Sequence, residues 1–76
     1  MWYSRPMYKV FEIQNIRTNV KKGAITLEDG FWSADTESAQ NILKSASRHG
    51  ATDEEKINFL SKYVNQNIYI GLVVDE

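Results

Sequence analysis

The residues that could support acid–base chemistry lie around one predicted turn, where His49 is followed by Asp53, Glu54 and Glu55. General acid–base catalysis needs such groups to converge on one bound molecule. Successive residues of a helix instead diverge around its axis. Helix dipoles favour acidic residues at a helix start and a cation at a helix end. These residues therefore predict helix termini, and we expect that the chain is not an enzyme.

Metal and cofactor chemistry is disfavoured by the composition. The 76 residues include no cysteine and only one histidine, so neither a thiolate site nor a histidine zinc site is expected. The four glycines are too scattered to form a phosphate-binding loop, and no serine lies in a G-x-S-x-G context. We expect no cofactor and no metal.

A second kind of chemistry is suggested by cations close to aromatic residues in the first third of the sequence, which is net positive while the remainder is net negative. Tyr8 and Phe11 could stack on bases. The cations that could contact phosphates are Lys9, Arg17, Lys21 and Lys22. The overall pI of about 5.8 is far below that of a dedicated nucleic-acid-binding domain. Nucleic-acid binding is therefore the alternative hypothesis and not the first.

Two helices joined by a glycine corner organise the sequence between Asp35 and Gln66. The first has an apolar stripe at helical spacing, which consists of Ala39, Ile42, Leu43 and Ala46. Asp35 or Thr36 is the expected N-cap, and Gly50 is expected to end the helix in a left-handed conformation.

The second helix begins at a capping-box sequence, Thr52-Asp53-Glu54-Glu55. Its expected apolar stripe is Ile57, Leu60 and Val64. Because asparagine tolerates the left-handed conformation, we expect the helix to stop at residues 65–67.

Strand patterns flank the helices. Residues 7–16 predict a first strand that is central or bulged, because apolar residues fall on both faces. Residues 17–23 predict a polar loop, and residues 68–74 alternate as a final strand. Asp29-Gly30 predicts a type I′ hairpin turn, with Leu27 opposite Trp32 and Ile25 opposite Ala34 on an inner face and Glu28 opposite Phe31 on the other.

These elements predict one α+β domain over residues 1–76, with the order β-β-β-α-α-β. Its antiparallel four-stranded sheet has the spatial order 3-2-1-4, and both helices pack on one face. The other face is expected to carry some of Tyr8, Val10, Phe31, Tyr69 and Val73. Residues 1–6, with Trp2, Tyr3 and Arg5, predict an N-terminal arm that is a flexible, frayed terminus, folds across that face, or docks on a partner.

The sequence contains neither the roughly 18-residue apolar run of a membrane span nor the apolar segment of a signal peptide. We expect a cytoplasmic protein that does not act at a membrane.

The segment Tyr8–Ile16, above all Glu12-Ile13-Gln14-Asn15-Ile16, is followed by a basic loop, a strand and an alanine-rich helix. Over residues 8–48 this arrangement resembles the opening of a type I-F anti-CRISPR protein. The resemblance implies a small phage protein that binds a host CRISPR surveillance complex and blocks its capture of DNA. If phage-encoded, it would act in the host cytoplasm.

Together these patterns favour a non-enzymatic protein-interaction module that occludes a partner complex. The residues expected to contact the partner are Tyr8, Lys9, Arg17, Lys21, Lys22, Phe31 and Tyr69. Weak nucleic-acid binding and a structural role as a homodimer subunit are the alternatives.

Overall fold

A computed structural model describes residues 7–76, which form one α+β unit of five strands and two helices. The elements are β1 (Tyr8–Asn15), β2 (Lys21–Glu28), β3 (Phe31–Ala34), α1 (Glu37–His49), α2 (Asp53–Ser61), β4 (Val64–Asn65) and β5 (Ile68–Asp75). The predicted arm, with Trp2, Tyr3 and Arg5, lies outside the described residues.

The sheet is antiparallel throughout, with the order β3-β2-β1-β5-β4. The predicted central position of β1 and its pairing with the final strand are confirmed. The prediction of four strands is wrong, because β4 adds a fifth strand at the edge.

The extra strand arises where α2 was expected to continue. The helix ends at Ser61, and Val64, predicted to lie on its apolar stripe, instead pairs with Tyr69 in β4. Gln66 has a φ of 52°, so the Gln66-Asn67 pair turns the chain into a tight hairpin. Valine is β-branched and suits this extended pairing better than the last turn of a helix.

The β2–β3 hairpin is formed as the sequence predicts. Asp29 and Gly30 have φ values of 52° and 86°, as a type I′ turn requires. Leu27 lies opposite Trp32, and Ile25 lies opposite Ala34. Phe31 therefore projects from the opposite side of the sheet, beside Glu28.

The connection between β1 and β2 is shorter than predicted, because β2 begins at Lys21 and not after Gly23. The Asn15 side chain accepts hydrogen bonds from the backbone N–H groups of Arg17 and Thr18 at 2.9 and 3.1 Å. This Asx-type turn reverses the chain at once. Pairing with β1 therefore starts early, with Lys21 opposite Gln14.

Side-chain caps set both helix starts. Thr36 caps α1 by accepting from the backbone N–H of Ala39 at 3.1 Å. In α2, Thr52 accepts from the Glu55 N–H at 3.1 Å while the Glu55 carboxylate accepts from the Thr52 N–H at 3.1 Å, which completes the predicted capping box.

Gly50 joins the helices for a different reason from the one predicted. Its φ of −155° and ψ of 131° are extended and not left-handed. A Cβ at this position would overlap the Glu55 Cβ and lie 3.2 Å from the Glu55 carbonyl carbon. The glycine is therefore needed because the start of α2 packs directly against it.

The buried core lies between the sheet and the two helices. Phe11 and Ile13 of β1 are fully buried, together with Ile25. They pack with the apolar residues that the helices turn toward the sheet, which are Ala39, Ile42, Ala46 and Leu60. Both helices thus cover the same face, as predicted.

We expect Gly50→Ala to lower the free energy of unfolding by about 1 to 3 kcal/mol, because overpacking at Glu55 forces the backbone to shift. Gly50→Asn should be no better tolerated, since the position is not left-handed. Urea unfolding measures both. Gly71→Ala is the control, because among residues 7–76 nothing lies within 4 Å of its added Cβ. Equal effects of Gly50→Ala and Gly71→Ala would contradict this packing.

The capping box predicts a pH dependence of stability. Hydrogen bonds from the Thr52 backbone, then from its hydroxyl, hold the pKa of the Glu55 carboxyl below its ordinary value. The stabilisation is therefore complete at neutral pH and is lost as pH falls from about 4.3 through the folded-state pKa. Glu55→Gln should lower the thermal midpoint at pH 7, and its difference from the wild type should disappear as the pH falls through the folded-state pKa of Glu55. A difference in thermal midpoint that stays constant with pH would contradict the prediction. Glu54→Gln is the control, because it removes a neighbouring charge without changing the capping box.

Candidate functional site

The face of the sheet opposite the helices is one candidate surface. Side chains of a strand alternate between faces, so the neighbours of buried Phe11 and Ile13 point away from the helices. We call this surface the open face; its aromatic and aliphatic members are Tyr8, Val10, Phe31, Val64, Tyr69 and Val74. Within residues 7–76, no helix packs on it.

An irregularity in β5 decides which of its valines reach the open face. Val74 lies opposite Val10, but Leu72 already lies opposite Phe11. Val73 is therefore the extra residue of a bulge. Simple alternation predicted Val73 on the open face and Val74 on the inner one, and the bulge places Val74 outward instead.

The two ends of the open face are its most exposed apolar points. Phe31 in edge strand β3 is 76% exposed, and Val64 in edge strand β4 is 70% exposed. Tyr8 lies in the same row as Phe31, with Glu28 paired to both. The Phe31 ring is therefore accessible for contact with another molecule.

A line of hydrogen bonds crosses the middle of the open face. The Tyr69 hydroxyl donates to the Gln14 Oε1 at 2.7 Å, and the Gln14 amide donates to the Glu12 Oε1 at 3.4 Å. The other Glu12 oxygen lies 3.1 Å from the Lys21 ammonium. Lys21 is thus engaged by a carboxylate on the surface where it was expected to meet a partner.

Lys9 lies on the other side of the sheet. It neighbours Tyr8 in sequence, so its side chain points to the helix side, where it forms an ion pair with Asp75. Its side chain is only 17% exposed. Tyr8 and Lys9 therefore do not share a surface.

The remaining two predicted contact residues, Arg17 and Lys22, are exposed at the β1–β2 end of the sheet. Arg17 lies in the turn, and Lys22 occupies the point where the β1–β2 register shifts. Of the seven residues predicted from sequence, Tyr8, Phe31, Lys21 and Tyr69 come together on the open face. The cations do not form one continuous stripe.

The acid–base candidates are occupied with structural contacts. His49 Nδ1 lies 2.9 Å from the Ser45 carbonyl oxygen, and its ring stacks on Phe59 with centroids 4.7 Å apart. Glu55 belongs to the capping box. In the described part of the chain, no three His, Cys, Asp or Glu residues are grouped to hold a metal ion.

Sequence patterns did not reveal a contact between Trp32 and Asp53. The Trp32 indole donates to the Asp53 carboxylate at 2.9 Å and stacks near Phe11, with ring centroids 6.2 Å apart. It thereby joins β3 to the start of α2. In the sequence, only the strand alternation that places Trp32 on the inner face of the sheet indicated this role.

Two concave regions were also missed. One, of about 660 Å³, lies beside His49, Phe59 and Tyr63. The other, of about 620 Å³, lies between β3 and α1 and includes Lys44 and Arg48. The spacing of Lys44 and Arg48, four residues apart on one helix, is the signal that could have drawn attention to the second.

Comparison with known proteins found no matching family model, no matching curated protein and no matching solved structure. Because nothing matches, the function must be inferred from the surface chemistry of the chain itself.

Neither α1 nor α2, the helices between residues 7 and 76, has the length and apolar character of a membrane-crossing segment.

A double-mutant cycle tests the Trp32–Asp53 contact. Trp32→Phe and Asp53→Ala should each destabilise the fold, and the double variant should lose about 1 to 2 kcal/mol less than their sum, because the hydrogen bond is charge-assisted and half-buried. Urea unfolding supplies the four free energies. The cycle of Trp32→Phe with Glu54→Ala is the control and should be additive. Additivity in the first cycle would show that the contact contributes nothing.

Proposed function

We propose that the chain is a protein-interaction module that acts by covering a partner's surface. The observation that carries the proposal is the open face, where no described helix packs and where Phe31 and Val64 are largely exposed. Phe31 and Val64 lie at opposite edges of the sheet, and Tyr8, Val10, Val74 and Tyr69 lie between them on the same face. Large exposed apolar surface rimmed by polar residues marks interaction sites.

The dimensions of the open face suit a protein partner. Three of the five strands have eight residues and extend about 26 Å, while β3 and β4 have four and two, and neighbouring strands are about 4.8 Å apart. Such a face, of roughly 500 Å², supplies the greater part of the roughly 800 Å² that each partner contributes to a standard interface. The turns and edges around it can supply the remainder.

The charges of the open face favour a protein over a nucleic acid. Glu12 and Glu28 both lie on the open face. Lys21, a cation on the same face, already contacts Glu12. Carboxylates on a binding face repel phosphates, whose neutralisation supplies most of the affinity for nucleic acid. The nucleic-acid alternative would have to rely on Arg17 and Lys22 at one end of the sheet.

The finer proposal is that the chain is a phage-encoded inhibitor and that its partner is a CRISPR surveillance complex. It is supported by the resemblance of residues 12–16 to a type I-F anti-CRISPR protein. Glu12 and Gln14 of that segment point to the open face, whereas Ile13 is buried in the core.

The test is a pull-down from bacterial lysate, with and without nuclease, using the wild type and Phe31→Thr/Val64→Thr. We expect a stoichiometric protein partner that survives nuclease and is lost with this variant, because both exposed ends of the open face become polar. Ile16→Thr/Val20→Thr is the matched control: these apolar residues are 46% and 54% exposed but lie in the β1–β2 turn. Its binding should equal that of the wild type.

Two further readouts separate the remaining alternatives. Recovery of nucleic acid alone would overturn the proposal in favour of the basic end of the sheet. Concentration-dependent sedimentation that is abolished by Phe31→Thr/Val64→Thr would assign the open face to a homodimer. For the finer proposal, addition of the chain should block target-DNA binding by a purified type I-F surveillance complex, and unimpaired DNA binding would reject that partner.

A further inference from the structure

The groove between β3 and α1 combines a free strand edge with a charged helix. One wall is β3, where Trp32 and Ala34 turn their side chains toward the helix. The other wall is a stripe of α1 at helical spacing, which includes Gln40, Leu43, Lys44 and Arg48. The groove has a volume of about 620 Å³ and is separate from the open face, which is on the other side of the sheet.

The strand wall has unpaired backbone groups on its outer side. Glu28 and Phe31 flank a two-residue turn, so they form a hydrogen-bonded pair, and the pairs then alternate along the hairpin. The Asp35 N–H donates to the Ala24 carbonyl at 3.2 Å, which agrees with this alternation of hydrogen-bonded and non-hydrogen-bonded pairs. The N–H and C=O groups of Trp32 and Ala34 therefore point away from β2, toward the free edge.

The helix wall matches the strand wall in length. From Gln40 to Arg48 the stripe extends about 12 Å, and the four residues of β3 extend about 13 Å. The groove thus accommodates about four residues of an extended chain, with their side chains alternately turned into it.

The charge of the groove selects its occupant. Lys44 and Arg48 are exposed, four residues apart, and no carboxylate lines the groove. Among residues 7–76, neither cation forms an ion pair. Beside them, Leu43 and Ala34 offer apolar surface that is partly buried. An acidic side chain next to an aliphatic one complements this lining.

We propose that an extended peptide segment of a partner protein adds to the sheet at β3, as a further strand. Its backbone bonds Trp32 and Ala34. An acidic side chain faces Lys44 and Arg48, and an aliphatic side chain two positions away lies over Ala34 and Leu43. Strand addition supplies affinity through the main chain and specificity through alternate side chains. This inference goes beyond the open-face proposal and does not depend on it.

A second copy of the chain fits the groove less well. Antiparallel pairing of β3 with β3 of another copy would bring the two α1 stripes together, and with them Lys44 and Arg48 of both molecules. Like charges at a strand edge are a common protection against self-association. The same cations that attract an acidic peptide thus oppose pairing of identical edges.

The experiment is selection of a random octapeptide display library against the full chain, followed by fluorescence anisotropy with synthetic copies of the enriched peptides. We expect enrichment of an acidic residue two positions from an aliphatic one. Lys44→Glu/Arg48→Glu should weaken binding of these peptides at least tenfold. Arg17→Glu/Lys62→Glu is the matched control, with the same change of charge away from the groove, and should bind as the wild type does.

Amide hydrogen exchange tests the strand addition itself. The Trp32 and Ala34 amides should become protected when the peptide binds, whereas those of Phe31 and Ser33 are already bonded to β2 and should change little. Absence of enrichment, equal loss in both charge-reversed variants, or binding without protection of Trp32 and Ala34 would overturn the proposal. Val64→Thr, in β4 at the opposite edge of the sheet, should leave peptide binding intact, so failure at the groove and failure at the open face are distinguishable.

Discussion

The whole structure depends on one constraint: two short helices can cover only one side of the sheet. Phe11 and Ile13 at the centre of β1 are fully buried because both helices pack over them. Burial of such side chains is the main stabilising contribution, at about 25 cal/mol per Å² of apolar surface. Among residues 7–76, both helices pack on this one side. The arrangement that stabilises the fold therefore leaves no described helix over the open face.

The same constraint explains how the helices are held in place. Small residues of α1, Ala39 and Ala46, allow the helix to approach the sheet closely. The start of α2 is fixed at two points, by the contact of Gly50 with Glu55 and by the hydrogen bond between Trp32 and Asp53. With so small a core, these contacts determine the position of the second helix as much as its apolar side chains do.

The two edges of the sheet differ in what they offer. At one edge β4 is only two residues long and pairs with Ile68 and Tyr69, so the rest of β5 has no described strand on its outer side. At the other edge, β3 lies beside α1, and the helix carries two cations along the strand. The β3 edge is distinguished by the positive charge of the helix beside its free backbone groups. The fold thus separates a flat, mixed-charge surface from a narrow, positively charged groove.

Features decided by neighbouring residues could be read from the sequence. The Asp29-Gly30 turn sets the β2–β3 register, and Thr52 with Glu55 forms the capping box, because both depend on local backbone geometry. The same logic predicted that Tyr8, Phe31 and Tyr69 lie on one face. The prediction failed where two local preferences compete. The spacing of Val64 fits the apolar stripe of a helix, but its β-branched side chain favours a strand.

The sequence by itself determined the α+β class, the two capped helices and the hairpin register, since each follows from side-chain alternation or from bonds between residues close in the chain. Only the tertiary structure decided the close packing at Gly50, the pairing of Lys9 with Asp75 and the groove between β3 and α1. These depend on residues far apart in sequence, whose contact is settled by how the helices pack on the sheet.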